Sequence, residues 1–487
     1  MIETIPPLCM QKAVDLYVGA STKPPVIVIN TPPLVTMSDS SYSTGGGTFV
    51  AFLFLLIIII IIVVVFYTSP GTHPGRHGRV RASKTRKHKS RLSKPSSTLF
   101  EPVRSQIQKT GIPPIAPLWW DDEEGAYMIQ MRVGQGDVEF VLDTGSSQLS
   151  AKGHGCQWTN CGGDSCNTRA CPCGVDASGK ERTDCSLHYY KPAGRALKPG
   201  EGGAGMSTVL TYGSQEDTVS HYYDIVALPH VTMPCQELEM NTPRSAMKTS
   251  EYHSLGNVVV HRVSHIEGTS SSNLLGLARP SHNESTEAGS HVVLQKLFGG
   301  YDAQWSIIIR PTGGWWAMGS LPCFQNTKYM PLVNPPEFNQ FVTKFYIVPI
   351  LSIAVGFNQH ALKTLSRADT PKFCLIDTGT TLTYGSPRLG AALKKKRWDE
   401  RKSYFQIELG DKKNHVTITY SPAQMRDPDY PDSSVLQAEH GRTLDDFDTI
   451  FPAGTCLLFG IFMMRNCYWE FDLAQERVGI QELPPLK

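Results

Sequence analysis

Two aspartates of the sequence stand in closely matching surroundings. The segment VLDTGSS at residues 141–147, which contains Asp143, recurs as LIDTGTT at residues 375–381, which contains Asp377. Each copy consists of two apolar residues, then Asp-Thr-Gly, then two hydroxyl residues. A single Asp-Thr-Gly is usually a turn at the end of a strand. Two copies with like flanks, separated by 234 residues, indicate an internal repeat with one copy in each half of the chain.

The repeat predicts a pair of carboxylates that act together. A strand delivers each aspartate into a tight turn, and two lobes facing each other would place Asp143 and Asp377 within a few ångströms. Like charges at that distance cannot both ionise, so the pair shares one proton. One carboxylate then activates water as a general base, while the other, protonated, polarises a peptide carbonyl. This chemistry hydrolyses peptide bonds and requires no metal, no cofactor and no covalent nucleophile.

The residues that follow each aspartate are expected to support it. Gly145 and Gly379 are expected to adopt backbone geometry that is closed to other residues. Hydroxyl groups one and three positions after each aspartate are expected to donate hydrogen bonds that fix the carboxylates. These hydroxyl groups belong to Thr144, Ser146, Thr378 and Thr380. An apolar run containing glycine follows each copy at a distance, as LLGL at residues 274–277 and as LLFGI at residues 457–461.

The body that carries this pair has the pattern of an all-β protein. From about residue 121, short runs of β-branched and aromatic residues alternate with turns rich in Gly, Pro and Ser. The length of 487 residues allows two packed lobes. We expect an N-terminal catalytic lobe with a Cys-rich insertion over residues 121–320 and a C-terminal catalytic lobe over residues 321–487.

In combination, these motifs resemble those of the pepsin-like, two-lobed aspartic peptidases. The resemblance covers residues 124–483 and includes GAY at 125–127, LLGLA at 274–278 and FGIF at 459–462. The segment TYGS at residues 211–214 resembles the family's flap, the hairpin that closes over the substrate.

This resemblance implies a function as well as a fold. It implies the two-lobed acid-protease fold, with Asp143 and Asp377 as the catalytic pair. Tyr212 and Gly213 then belong to the substrate-binding flap. The implied activity is that of an aspartic endopeptidase, a monomer that acts on polypeptide substrates without a cofactor.

The sequence departs from the family's pattern at three places. Family members commonly carry a tryptophan seven residues after the first aspartate, where it helps to seat the flap tyrosine. Here that position is Ser150, so the flap is expected to be anchored differently, and Trp158 could take part. Many members carry an acid directly after the C-terminal apolar-Gly motif, whereas this chain has Ile461. Cys156 and Cys161 stand where pepsin-like enzymes carry a small disulfide loop, in a segment that is expanded here.

The cysteines favour an oxidising compartment. Eleven of the 12 lie in the body, and six of these cluster within residues 156–185. A zinc cluster is one alternative, but the spacings lack paired C-x2-C knuckles, so disulfides are favoured. Cys374, in the apolar strand before Asp377, is expected to be a buried free thiol. The cysteines that could form two further bridges are Cys235, Cys323, Cys456 and Cys467.

The N-terminal part of the chain predicts a membrane anchor. Residues 1–48 have the composition of a flexible tail, and residues 49–67 form an uninterrupted apolar run. A run of this length spans roughly 30 Å of hydrocarbon as a helix, so it predicts a transmembrane signal anchor. A buried core helix rarely runs this long without a polar residue, and a cleavable signal peptide would begin nearer the N-terminus.

Charge divides the chain into a basic front and an acidic body. Residues 1–120 hold 13 Lys and Arg against 4 Asp and Glu, whereas the rest of the chain holds 33 against 40. The acidic body argues against nucleic-acid binding, because it offers no basic surface to displace counterions. We interpret residues 68–120 as a solvated tether, a lipid-binding segment or a basic pro-segment, as in a zymogen, that masks an acidic cleft.

The basic flank and the cysteines give opposite predictions of membrane orientation. The positive-inside rule places the body in the cytoplasm, whereas disulfides place it in an oxidising compartment. We favour a type II single-pass membrane protein of the secretory or endomembrane system, with its catalytic body lumenal or extracellular. Asn283 lies in an N-E-S acceptor sequon, so a glycoprotein is expected on that side of the membrane.

Three functional hypotheses therefore compete. The first is a membrane-anchored aspartic endopeptidase. The second is a non-enzymatic protein- or ligand-binding member of the same fold that uses the Cys-rich insertion; a missing catalytic Asp or Gly would favour it, and neither is missing. The third is an unrelated fold in which the two Asp-Thr-Gly copies are a coincidence. Metallo- and serine-hydrolase functions are not indicated, because the sequence has neither an H-E-x-x-H nor a G-x-S-x-G motif.

Overall fold

β-Strands dominate the structure, a computed structural model with 58% strand and 6% helix. This mostly β character agrees with the pattern of short apolar runs and turns in the sequence. All described residues belong to the unit of the chain that contains Lys94–Lys487. The structure describes residues 113–122, 124–162, 165–171, 189–198, 208–211, 215–231, 238, 251–268, 272–279, 294, 304–335, 345–426, 434–438 and 455–484.

The strands and helices are numbered here in chain order. The strands are β1 (Ile115–Asp121), β2 (Ala126–Val133), β3 (Gly136–Asp143), β4 (Leu149–Gly162), β5 (Ser165–Ala170), β6 (Arg195–Ala196), β7 (Thr208–Thr211), β8 (Gln215–His230), β9 (Glu251–Gly268), β10 (Leu274–Gly276), β11 (Gln304–Arg310), β12 (Gly313–Ala317), β13 (Lys328–Pro331), β14 (Tyr346–Gly356), β15 (Lys363–Thr364), β16 (Phe373–Ile376), β17 (Thr383–Tyr384), β18 (Tyr404–Gly410), β19 (His415–Tyr420), β20 (Leu436–Gln437), β21 (Cys456–Phe459), β22 (Cys467–Asp472) and β23 (Arg477–Glu482). The helices are α1 (Pro387–Lys395) and α2 (Ile461–Met464).

Two sheets contain these strands. The larger sheet has 15 strands in the order β13-β23-β22-β11-β12-β1-β2-β3-β10-β4-β9-β8-β6, with β5 beside β4 and β7 beside β8. The smaller sheet has 8 strands in the order β19-β18-β14-β16-β21-β17-β20, with β15 beside β14. Each sheet contains one of the two Asp-Thr-Gly strands, β3 in the larger and β16 in the smaller.

The larger sheet includes strands from both halves of the chain. β22 pairs antiparallel with β11, and Trp305 of β11 stacks on Phe471 of β22 with ring centroids 4.0 Å apart. Tyr346 joins this core, since its hydroxyl accepts a hydrogen bond from Trp305 Nε1 and donates one to the Leu277 carbonyl. The division expected at residue 320 therefore does not separate the sheets, because β13, β22 and β23 lie in the same sheet as β1 to β12.

β1 begins within the segment that the sequence assigned to a tether or pro-segment. Ile115 and Leu118 are fully buried, and the strand pairs with both β2 and β12. The boundary expected at residue 120 is therefore wrong, because β1 belongs to the core of the body. Pro117 interrupts the sequence pattern of a strand within β1, so the pattern does not predict it.

The membrane part of the predicted fold class and localisation is corrected by the structure. Among the residues that the structure describes, no helix is both long and apolar enough to cross a bilayer. The longer helix, α1, has 9 residues, whereas a span of ~30 Å requires about 20. A single-pass anchor is therefore not supported, nor is the type II placement that depended on it. The tail at residues 1–48 and the predicted span at 49–67 lie outside the described residues, as does the sequon at Asn283.

The cysteines pair differently from the family's pattern. Cys156 is bonded to Cys171, not to Cys161, and the bridge closes the hairpin formed by β4 and β5. Cys323 is also disulfide-bonded. Cys374 is a buried free thiol, as predicted, but Cys456 and Cys467 are free as well. The expectation of two bridges among Cys235, Cys323, Cys456 and Cys467 is therefore wrong, because two of these four cysteines are free thiols.

Candidate active site

Asp143 lies at the end of β3, and a parallel neighbour holds that strand in place. β3 pairs with β10 in a register that sets Leu274 opposite Val141 and Gly276 opposite Asp143. The Leu277 N–H donates a hydrogen bond of 2.6 Å to the Asp143 carbonyl, which fixes the backbone at the aspartate. β3 contains alternating and then continuous apolar residues, and its last four residues are buried. The strand thus delivers Asp143 from the core to the loop that follows it.

Asp377 is delivered by the same arrangement in the smaller sheet. It directly follows β16, which pairs in parallel with β21 so that Ile376 lies opposite Phe459. The Asp377 N–H donates to the Phe459 carbonyl at 3.1 Å. The two apolar-Gly runs that follow the aspartates in sequence are therefore the strands that lie beside them in the structure.

The two Asp-Thr-Gly loops are interlocked by four hydrogen bonds related by approximate two-fold symmetry. The Thr144 N–H donates to Thr378 Oγ1 at 3.0 Å, and the Thr378 N–H donates to Thr144 Oγ1 at 2.9 Å. Thr144 Oγ1 in turn donates to the Ile376 carbonyl at 3.0 Å, and Thr378 Oγ1 donates to the Leu142 carbonyl at 2.7 Å. The sequence predicted that these hydroxyls fix the carboxylates. They bind the backbone of the opposite loop instead, so they fix the aspartates indirectly.

Hydrogen bonds from within each loop orient the carboxylates. The Gly145 N–H donates to Asp143 Oδ1 at 2.8 Å, and the Gly379 N–H donates to Asp377 Oδ1 at 3.0 Å. Thr380 Oγ1 donates to Asp377 Oδ2 at 2.6 Å, as predicted for this hydroxyl. Ser146, its counterpart in the first loop, has a buried Oγ without a hydrogen-bond partner of normal geometry. The two carboxylates are therefore held by different sets of donors.

The two glycines allow each carboxylate to lie against the opposite loop. A Cβ added to Gly379 would lie 2.3 Å from Asp143 Oδ1, and one added to Gly145 would lie 2.9 Å from Asp377 Oδ1. Neither glycine has a positive φ. The expectation that they supply unusual backbone geometry is therefore wrong. They are required because a side chain would occupy the space of the carboxylates, and this crossed contact brings the two acids together.

Burial and the neighbouring charge keep a proton on this pair. Burial raises the pKa of Asp143 from 3.8 to about 8, and the negative charge of Asp377 adds to the rise. The Ser146 side chain and the Gly145 N–H oppose the rise in this pKa. Asp143 is 8% exposed, whereas Asp377 is half-buried. The arrangement therefore favours one proton shared by the pair, with Asp143 as its holder at neutral pH.

The predicted flap residues, Tyr212 and Gly213, lie outside the described residues. The strands on either side of them, β7 and β8, form an antiparallel pair that sets Leu210 opposite Asp217 and Thr211 opposite Glu216. The hairpin geometry expected for a flap is thus present in the described strands. The position of the two predicted substrate-binding residues stays a prediction.

The structure also adds polar residues to the surroundings of the site. Thr381 Oγ1 donates to the Gly125 carbonyl at 2.7 Å, which joins the second loop to the turn before β2. Ser150, Lys152 and Asp217 are buried, and Ser150 and Lys152 lie on β4, the strand that follows the first loop. Ser150 stands at the position where pepsin-like peptidases commonly carry a tryptophan. Lys152 follows it by two positions on the same face of a strand, and this alternation is the signal that could have identified it.

Comparison of the sequence with protein-family models and with characterised proteins gives no match.

Proposed function

We propose that the protein is an aspartic endopeptidase. The observation that supports this most strongly is the crossed placement of two carboxylates on interlocked loops, one loop from each half of the chain. The raised pKa of Asp143 supports the unequal protonation that the chemistry needs. The resemblance of the sequence motifs to those of the pepsin-like peptidases supports the same assignment.

In this mechanism the two aspartates have different tasks. Asp377, ionised, removes a proton from a water molecule as the water oxygen attacks the carbonyl carbon of a peptide bond. Asp143 gives its proton to the carbonyl oxygen, which produces a neutral tetrahedral intermediate. The C–N bond then breaks as Asp377 passes its proton to the leaving nitrogen, and a hydroxyl proton returns to Asp143. The pair ends in its starting protonation state.

The interlocked threonines and the two glycines have a positioning role in this proposal. Thr144 and Thr378 hold the loops at a fixed separation, and Gly145 and Gly379 leave the carboxylates free to approach. Catalytic groups held in advance need no reorganisation during the reaction, which lowers its barrier. The substrate class is an extended polypeptide, because the chemistry acts on a peptide carbonyl.

The test is cleavage of a peptide library by the purified full-length chain between pH 3 and 7, with and without a statine-type inhibitor. We expect cleavage that the inhibitor blocks. The variants Asp143→Asn and Asp377→Asn are expected to lose roughly 10²- to 10⁴-fold in rate, because each removes one proton-transfer group.

The matched control is Asp411→Asn, at an exposed turn where the side chain accepts hydrogen bonds from the Lys413 and Asn414 amides. An asparagine retains these bonds, so wild-type activity is expected. Cleavage that survives in Asp143→Asn, or a folded wild-type protein without peptidase activity, would reject the proposal. Inhibitor binding without cleavage would favour the non-enzymatic binding function.

A further inference from the structure

A buried polar group lies against the hairpin formed by β7 and β8, at Asp217 near the start of β8. Ser150 and Asp217 are fully buried, and Lys152 is 2% exposed. Ser150 Oγ donates a hydrogen bond of 3.2 Å to Asp217 Oδ2. Burial lowers the pKa of Lys152, and the carboxylates of Glu124, Asp217 and Glu139 oppose that shift. Charges are costly to bury unless they are paired, so this group is not accounted for by apolar packing.

The group links the hairpin to the strand that carries Asp143. Ser150 and Lys152 lie on β4, which follows the first Asp-Thr-Gly loop, and Asp217 lies near the start of β8. The Lys152 N–H donates to Asn273 Oδ1 at 2.8 Å, and Asn273 Nδ2 donates to the Glu139 carbonyl of β3 at 2.9 Å. A continuous set of polar contacts thus runs from β8 through β4 to β3.

Apolar contacts also hold the same hairpin, but they fix its orientation relative to β4 less closely than a hydrogen bond does. Trp158 packs in a cluster with Val219 of β8 and Leu210 of β7, and its Nε1 donates to the Gly268 carbonyl at 3.0 Å. Gly268 lies opposite Gln215, the first residue of β8. Trp158 therefore contributes to anchoring, as the sequence suggested. Apolar packing is non-directional, whereas the Ser150–Asp217 hydrogen bond fixes one side chain of β8 against one side chain of β4.

We propose that Ser150, Asp217 and Lys152 are positioning residues that set the β7–β8 hairpin relative to the first catalytic loop. In this chain they take the place of the tryptophan that pepsin-like peptidases commonly carry at the position of Ser150. The inference rests on the proposed function for its catalytic consequence, but the anchoring of the hairpin can be measured without it.

The first experiment measures hydrogen–deuterium exchange in the full-length chain and its Ser150→Ala variant. We expect the amides of β7 and of the first residues of β8 to exchange about tenfold faster in the variant, because a hydrogen bond to a buried carboxylate is lost. Ser306→Ala is the matched control, since Ser306 is also fully buried and its hydroxyl donates to the Gly319 carbonyl at 2.7 Å in another part of the sheet. Equal exchange of the hairpin in wild type and Ser150→Ala overturns the inference, whether or not the protein is a peptidase.

The second experiment separates positioning from stability. Lys152→Met removes the buried cation that interacts with the carboxylates of Glu124, Asp217 and Glu139, and it is expected to lower Tm. The double variant Lys152→Met with Asp217→Leu also removes the buried carboxylate that bonds Ser150, and it is expected to recover part of the lost Tm, because a buried carboxylate without its cation costs more than an apolar side chain. The double variant should still show a KM for a peptide substrate raised about tenfold with a smaller change in kcat, since the directed contact is absent.

A double variant with wild-type Tm and wild-type KM would mean that the residues are only structural, and it overturns the inference. An inactive wild-type protein would reject the proposed function instead. In that case the exchange of the hairpin amides still decides whether Ser150 and Asp217 anchor it.

Discussion

The hydroxyl groups of Thr144 and Thr378 each act as both donor and acceptor in joining the two loops. Each hydroxyl accepts from the opposite threonine amide and donates to a carbonyl of the opposite strand end. The contact is fully buried at both residues. Removal of one hydroxyl therefore leaves an amide and a carbonyl without partners and without access to water, which costs more than the bond itself contributes.

Thr378→Val tests this interlock. We expect the free energy of unfolding to fall by about 2–4 kcal/mol, because the Thr144 N–H and the Leu142 carbonyl lose their partner in a buried site. Chemical denaturation with urea measures the change. Thr378→Ser keeps the hydroxyl and is the control, with an expected loss well below that of valine. Equal losses in the two variants would contradict a role for the hydroxyl and indicate a role for the methyl group.

Gly379→Ala tests the crossed contact between glycine and carboxylate. The added Cβ would lie 2.3 Å from Asp143 Oδ1, so the carboxylate must move away from Asp377. We expect loss of peptidase activity of at least roughly 10²-fold, because displacement by about 1 Å disturbs both proton transfers.

Gly136→Ala is the control for this variant. No atom lies within 4 Å of its added Cβ, and the glycine has no positive φ. Activity equal to wild type is therefore expected. A fully active Gly379→Ala variant would show that the carboxylates do not occupy these positions during catalysis.

At the scale of residues, the sequence is sufficient to identify the two aspartates but not the partners of their neighbours. Asp143 and Asp377 are recognisable because an unusual heptapeptide is repeated. The partners of Thr144 and Thr378 are not recognisable, because they lie 234 residues apart and depend on how the two loops face each other. The same limit applies to Ser150, whose partner Asp217 has no local signal in the sequence.

At the scale of elements, the strands that deliver the aspartates are the most predictable part of the fold. β3 and β16 are short apolar runs that end at Asp-Thr-Gly, and their neighbours β10 and β21 contain the repeated apolar-Gly pattern. The sequence pattern does not predict β1, because Pro117 interrupts it, although the strand pairs on both sides. The register and neighbours of a strand depend on tertiary packing, which local propensity does not contain.

The β4–β5 hairpin offers a prediction at this scale. The Cys156–Cys171 bridge spans a sequence separation of 15 residues, for which the chain-entropy model gives about 3 kcal/mol of stabilisation. We expect Cys156→Ala and Cys171→Ala to lower the free energy of unfolding by similar amounts in urea titrations. Either substitution removes the same bridge. The double variant should therefore lose about the same free energy of unfolding as each single variant, and not the sum of the two losses. Additive losses would show that the bridge is not the common cause.

At the scale of the whole molecule, the two halves of the chain are less separate than their repeated motifs suggest. Strands from beyond residue 320 complete the larger sheet, and Glu470 of β22 accepts hydrogen bonds from the hydroxyls of Ser320, Tyr329 and Tyr468. A buried carboxylate with several donors is retained without a large penalty. The larger sheet therefore combines strands from both halves of the chain, and a sequence divided at residue 320 does not reveal this.

The stability of the body depends on the protonation of Asp143, because burial and the charge of Asp377 raise the pKa of this carboxyl. The pKa of Asp143 is about 8 in the folded protein and 3.8 as an ordinary value, so the folded state binds a proton between these values that the unfolded state has released. The stabilisation is fully present below about pH 4 and is lost as pH rises through 8. We expect the free energy of unfolding to fall with rising pH in this window, by up to about 1.4 kcal/mol per pH unit for one proton.

Urea denaturation at a series of pH values, compared between wild type and Asp143→Asn, measures this contribution. Asparagine is a neutral group of the same shape, so the variant removes the titration of Asp143 together with its electrostatic effect on Asp377, and leaves the groups away from this pair unchanged. The difference in unfolding free energy between the two proteins should therefore change steadily from pH 4 to pH 8, with the variant gaining relative stability as pH rises. A difference that is constant across this range would mean that Asp143 is already ionised in the folded protein at pH 4. The shared proton would then be absent, and with it the basis for assigning different tasks to Asp143 and Asp377.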